Sequence, residues 1–147
     1  MIELVPMKLC HVSQVAQLET VCFSDPWSER SIVSELTNPL STWIVAVEGD
    51  RVAGYVGAQS VPPEADMMNL AVSIDDRRKG IAQLLVCALI EKLRADGISS
   101  LALEVRVSNR AAIALYEKLG FATVGCRPRY YTNPKEDAYI LRKEWEV

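Results

Sequence analysis

The strongest constraint on this chain is a strand–helix–strand succession near its centre. Between Gly80 and Asp96, the residues Ile81, Leu84, Leu85, Ala88, Leu89 and Leu93 recur every third or fourth position. That spacing gathers them into one apolar stripe on a helix. Gly97 follows, and glycine readily takes the left-handed conformation that ends a helix. Asp66–Val72 before the helix reads as a strand. So does Ser100–Val107 after it, in strict alternation. Two strands joined through a helix imply some parallel pairing, because a parallel pair needs a crossover of a dozen residues or more.

The flanking segments add antiparallel pairing. Ile2–Pro6 reads as a short strand. Lys8–Val21 is a helix by the spacing of Val12, Val15, Ala16 and Leu18. Cys22–Trp27 is a loop, and Ser28–Leu36 a second helix stopped by Asn38-Pro39. Thr42–Glu48 and Arg51–Val61 form a hairpin around Gly49-Asp50. Asn109–Leu119 is a helix closed by Gly120, and Ala122–Tyr131 and Ala138–Glu144 are two final strands. The expectation is an α/β (α+β) fold, with a mixed central β-sheet of about seven strands flanked by four helices. The 147 residues suit one domain spanning 1–147.

Composition narrows the function. Sixteen Lys and Arg against nineteen Asp and Glu give a net charge of −3, which offers no basic surplus for nucleic acid. The N-terminus lacks the pattern of a signal peptide. No apolar run approaches the ~18–20 residues of a membrane span. The four cysteines show no C-x-x-C spacing, and His11 is the only histidine. The expectation is therefore a cytoplasmic, metal-free chain with no nucleic-acid or membrane partner. His11 reads as an ordinary helix residue.

Three clusters can carry chemistry. In the first, the strand ending Asn69-Leu70-Ala71-Val72 feeds Asp75-Asp76-Arg77-Arg78-Lys79-Gly80-Ile81-Ala82 and then the long helix. A basic turn at a helix N-terminus presents free N–H groups and the positive end of the helix dipole, which suits a pyrophosphate. The same residues also fit a solvated turn before a core helix. In the second, alternation puts Glu104 with Ala102 and Arg106 on one strand face, opposite Leu101, Leu103 and Val105. That face can meet either a ligand or solvent. In the third, Asn109 and Tyr116 share a helix face with Ala112 between them, roughly 10.5 Å apart at 1.5 Å per residue.

Together these blocks resemble the GNAT acyltransferase superfamily. Its acetyl-CoA loop, [QR]-x-x-G-x-[GA], is met by Arg77-Arg78-Lys79-Gly80-Ile81-Ala82. Leu103 to Asn109, Ala111 to Phe121, Arg129-Tyr130-Tyr131, Glu136-Asp137-Ala138 and Pro26-Trp27-Ser28 resemble its RimI-type branch. Those enzymes acetylate the α-amino group of an N-terminal alanine on a small-subunit ribosomal protein.

The resemblance implies acetyl-CoA as cosubstrate and a protein N-terminus, that of a ribosomal protein, as acceptor partner. It implies that the backbone of Leu70, Ala71 and Val72 holds the pantetheine and thioester. Arg77, Arg78, Lys79, Gly80, Ile81, Ala82 and Gln83 would surround the pyrophosphate, and Asn109 would bond the pantetheine arm. Glu104 matches the general base and Tyr116 the general acid. The loop Thr132-Asn133-Pro134-Lys135 lacks the glycine common before the family's Glu-Asp, and this bears on acceptor choice. Trp27, Tyr130 and Tyr131 are candidate walls of the acceptor groove. Two alternatives remain open here: a lysine side chain or small-molecule amine as acceptor, and a non-catalytic acyl-CoA-binding module.

Overall fold

The computed structural model describes all of residues 1–147. Its seven strands are β1 (Glu3–Pro6), β2 (Ser41–Glu48), β3 (Arg51–Val61), β4 (Glu64–Val72), β5 (Ser100–Arg106), β6 (Ala122–Thr132) and β7 (Lys135–Glu144). Its four helices are α1 (Leu9–Cys22), α2 (Glu29–Glu35), α3 (Ile81–Ala95) and α4 (Arg110–Lys118), with a single 3-10 turn at Ile74–Asp76. The strands form one sheet in the order β1-β2-β3-β4-β5-β7-β6. Every pairing is antiparallel except β4 with β5, the two strands that α3 connects. The mixed sheet and four helices match the expectation from sequence.

Both faces of the sheet are covered, so β2 and β3 are buried on both sides and read as near-continuous apolar runs. On one face the α3 stripe, with Ile81, Leu85, Leu89 and Leu93, packs on Ile44, Val56, Met67, Leu101 and Leu103. On the other, Val12 and Val15 of α1 and Ile32 of α2 pack on Trp43, Val45, Tyr55 and Ala71. This second layer lies on β2, β3 and β4. On that same face of β5, Ala102, Glu104 and Arg106 are only half-buried.

Two irregularities open the sheet at its centre. The register of β3 against β4 slips between Gly57 and Ala58, whose partners are Asn69 and Met67. Met68 is therefore an extra residue, a β-bulge. Met67 joins the α3 layer, Met68 and Asn69 both turn to the α1 layer, and Leu70 returns to the α3 side. The parallel ladder between β4 and β5 then stops. It runs only through Glu64↔Ser100, Ala65↔Leu101 and Asp66↔Ala102, although both strands continue beyond it. The strands diverge into a wedge. Gly57 is what permits this packing: a Cβ there would overlap the Trp43 indole, so the ring rests on bare backbone beside the bulge.

Candidate functional site

The wedge leaves backbone groups without ladder partners. The Ser73 N–H donates to the Ala53 carbonyl at 2.8 Å. Because antiparallel pairs alternate, Ala71 then turns its backbone to Tyr55, whereas Leu70 and Val72 turn theirs to the open side. The Val72 carbonyl on that side accepts from Arg77 Nε at 3.3 Å. Of the three residues expected to hold an acyl chain by their backbone, Leu70 and Val72 face the gap and Ala71 faces β3.

The gap leads to the N-terminus of α3. Gly80 caps that helix at φ 77° with no side-chain cap, and no acidic residue occupies the first turn. The first intrahelical bond is Leu84 N–H to Gly80 O, at 3.1 Å, so the N–H groups of Ile81, Ala82 and Gln83 are free for an anion. Arg78 is also left-handed, at φ 66°. A Cβ built on Gly80 meets nothing within 4 Å, so its backbone stands open to a ligand. A cleft of about 340 Å³ lies here, lined by Val72, Asp76, Arg77, Arg78 and Gly80 to Gln83. Ala111 and Leu115 of α4 complete it, two residues that the sequence alone did not place at this turn.

Lys79 is placed differently from its neighbours. Its ammonium bonds Asp76 at 3.2 Å, and its side chain does not line the cleft. Asp76 is 1% exposed and also takes two bonds from Arg51, at 2.5 and 3.0 Å. The Arg51 guanidinium, helped by Lys79, holds the Asp76 carboxyl down at about 2. Lys79 thus braces the turn from below, while Arg77 and Arg78 face the cleft. Asn109 is the N-cap of α4: its Oδ1 accepts from the Ala112 N–H at 3.2 Å, which satisfies one orphan donor of that helix.

Glu104 and Tyr116 lie on opposite faces of the sheet. Tyr116 belongs to the α3 layer, and its hydroxyl donates to the Met67 sulfur at 3.6 Å. Burial, and then the nearby Tyr131, push the Tyr116 hydroxyl up from its ordinary value. Glu104 stands on the other face, with a side chain 26% exposed and 3.3 Å from the more open guanidinium of Arg127. Only where β4 and β5 part do the two faces communicate. Tyr131 lies near both groups. Burial first, then Tyr130 and Glu104, push its hydroxyl up to about 12. The Arg106 guanidinium stacks 4.3 Å from the Tyr131 ring centroid and binds Glu136 at 3.2 Å. Tyr130 meets Tyr131 edge-on at 5.0 Å. Trp27 lies in the α1–α2 loop, edge-on to Trp43 at 5.5 Å.

No three His, Cys, Asp or Glu side chains gather into a group that could hold a metal ion, and no helix is long and apolar enough to cross a membrane. His11 sits in the first turn of α1, where its Nδ1 accepts from the Lys8 N–H at 2.9 Å.

Known proteins share this architecture. The sequence pattern of the "Acetyltransferase (GNAT) family" matches residues 12–121. The chain is 40% identical over 118 residues to the [ribosomal protein bS18]-alanine N-acetyltransferase of Escherichia coli strain K12, covering 79% of each chain. It is 33% identical over 135 residues to the N-alpha-acetyltransferase RimI of Mycobacterium tuberculosis, covering 88% of this chain and 84% of that one. The crystal structure of the ribosomal-protein-S18-alanine N-acetyltransferase from Escherichia coli superposes with a TM-score of 0.91 at 32% identity, over 100% of this chain and 96% of that one. The NatC complex bound to Gag peptide and CoA contains a chain that superposes with a TM-score of 0.89 at 26% identity, over 99% of each.

Proposed function

The chain belongs to the GNAT acetyltransferase family and is an acetyl-CoA-dependent N-acetyltransferase, and from that premise we propose that it acetylates the N-terminal α-amine of a protein beginning with alanine, a small-subunit ribosomal protein. The relative at 40% identity is named for alanine acetylation of a ribosomal protein, and the one at 33% for N-alpha-acetylation. A ribosomal acceptor would place the reaction in the cytoplasm. The observation that carries the mechanism is the split sheet. A thioester seated between β4 and β5 would be reached by Glu104 from one face and by Tyr116 from the other. Attack and departure then occur on opposite sides of the carbonyl.

The Val72 N–H, directed at the gap, would donate to the carbonyl oxygen as negative charge develops there. The free N–H groups of Ile81 to Gln83, with Arg77 and Arg78, would hold the pyrophosphate, and Asn109 would donate its amide to the pantetheine arm. The incoming amine nitrogen forms the new C–N bond and the C–S bond breaks. Glu104 takes the amine's proton, working through a bound water. The electron pair leaves on sulfur, where Tyr116 meets it. A thiol titrates near ~8.5 and a tyrosine near ~10. Burial raises Tyr116 further, so its main contribution is a hydrogen bond to the forming thiolate. Tyr116→Phe should lower kcat roughly 10–100-fold and leave the KM for acetyl-CoA within threefold, measured by thiol release. Unchanged kcat would remove Tyr116 from the mechanism.

The acceptor class follows from amine chemistry. An α-amine titrates near ~7.7–8.0 and a lysine near ~10.4, so freeing a lysine costs about 3.4 kcal/mol more. A single half-exposed carboxylate suits the easier task. The test offers two peptides, one beginning with alanine and free of lysine, the other with a blocked N-terminus and an internal lysine. Mass spectrometry should find acetyl only on the alanine. Transfer only to lysine would overturn the α-amine reading and retain the family assignment. Binding of CoA without transfer to either peptide would point to a small-molecule acceptor.

A further inference from the structure

Glu19, in the last turn of α1, is completely buried, and no cation pairs with it. A buried carboxylate is costly unless its oxygens are satisfied. Here three donors converge on it. Oε1 accepts from the Trp27 backbone N–H at 2.8 Å and from the Asn69 amide at 3.0 Å. Oε2 accepts from the same amide at 2.8 Å and from the Tyr55 hydroxyl. The Trp27 N–H and the Asn69 NH2 can only donate, so the site requires an acceptor on both oxygens.

The partners belong to three different segments. Trp27 lies in the α1–α2 loop that walls the proposed acceptor groove. Asn69 is a residue of the β4 bulge, one position before the strand segment proposed to hold the thioester. Tyr55 is in β3, beneath both. The contacts also close on themselves. The Trp27 ring meets Trp43 at 5.5 Å, Trp43 stacks on Tyr55 at 5.9 Å, and Tyr55 returns to Glu19, which holds the Trp27 N–H. Trp27 is therefore fixed at two points, its ring and its backbone. The Asn69 amide ties that assembly to the bulge.

We propose that Glu19 is a positioning residue which, through Asn69, sets the acceptor wall at Trp27 relative to the cofactor strand at Leu70–Val72. The proposal rests on the acceptor groove described above. Glu19 touches neither substrate. It fixes the distance between the element that receives the peptide and the element that presents the thioester. Gln in its place keeps the volume but offers one acceptor oxygen where three donors converge, so it cannot hold the Trp27 N–H, the Asn69 amide and the Tyr55 hydroxyl together in their present arrangement.

The experiment is steady-state transfer to the alanine peptide by Glu19→Gln. The acceptor KM should rise at least tenfold. The KM for acetyl-CoA and kcat should both stay within threefold of wild type. Unchanged acceptor KM, or an equal loss of both substrates, would reduce Glu19 to a packing residue and overturn the proposal. If Glu19→Gln does not fold, Asn69→Ala decides by the same criterion, since it releases the bulge and leaves two of the three donors. Wild-type protein inactive on the peptide would mean that the functional reading has failed. The positioning proposal is then decided by hydrogen exchange of the Trp27 amide in Asn69→Ala. At least tenfold faster exchange supports it, and unchanged exchange overturns it.

Discussion

Glu104→Gln should lower kcat/KM for the alanine peptide about 100-fold while the affinity for acetyl-CoA stays within threefold. General-base assistance is worth ~10²–10⁴ in rate, and the lower end applies here because part of an α-amine is already neutral at pH 7. Isosteric Gln keeps the half-buried volume on β5 and removes only the basic oxygen. The ion pair between Glu104 and Arg127 is at the surface and worth ~0–1 kcal/mol, so the fold should hold without it. The residual activity should climb as pH rises from 7 to 9, because the acceptor's own deprotonation then replaces the missing base. Initial rates at three pH values, with acetyl-CoA binding by calorimetry, make the test. Wild-type rates at pH 7 would exclude Glu104 as the base.

Gly80→Asp should weaken acetyl-CoA binding at least 100-fold. Two effects combine. At φ 77° an L side chain is strained by about 1–2 kcal/mol. A carboxylate about 4 Å from a phosphate, at an effective dielectric constant of ~20, is opposed by about 4 kcal/mol, and salt and relaxation reduce that figure. Gly80→Ala separates the contributions, because it carries the strain without the charge. Nothing lies within 4 Å of its Cβ, so crowding by the protein does not enter. The alanine protein should lose about tenfold. Equal losses in the two variants would mean that strain alone is responsible and that the phosphate does not sit at this turn.

Much of the architecture was legible because periodicity reports burial. The α3 stripe and the alternation of Ser100 to Val107 led to the β4-α3-β5 unit and to the opposite faces of Glu104 and Leu103. The bulge was not legible. Met67, Met68 and Asn69 suit a regular strand as well as a bulged one, and the slip is set by the fit of Trp43 over Gly57, a contact between distant segments. Nor could the sequence show that β7 lies between β5 and β6, since a hairpin reads the same whichever of its strands pairs inward.

The basic turn was recognisable as a unit, but not the division of labour within it. Lys79 turns to Asp76 because that buried carboxylate needs a partner, and nothing in the run Arg77-Arg78-Lys79 distinguishes the three cations. Asn109 did carry a local signal, since asparagine before a helix is a preferred N-cap. Glu19 carried one too. It continues the spacing of Val12 and Val15, which puts a carboxylate on the apolar face of α1.

The short seam between β4 and β5 has a consequence for the life of the protein. Three residue pairs join the two halves of the sheet there, and beyond them the halves part. Under the proposed binding mode, a cosubstrate in the wedge would touch both halves, and binding and folding would then draw on the same free energy. Occupancy at a hundred times Kd adds about 2.7 kcal/mol to stability, a large share of the ~5–15 kcal/mol that holds a typical domain together. Saturating acetyl-CoA should therefore raise the melting temperature of the protein, and the ligand-free form should open first along this seam.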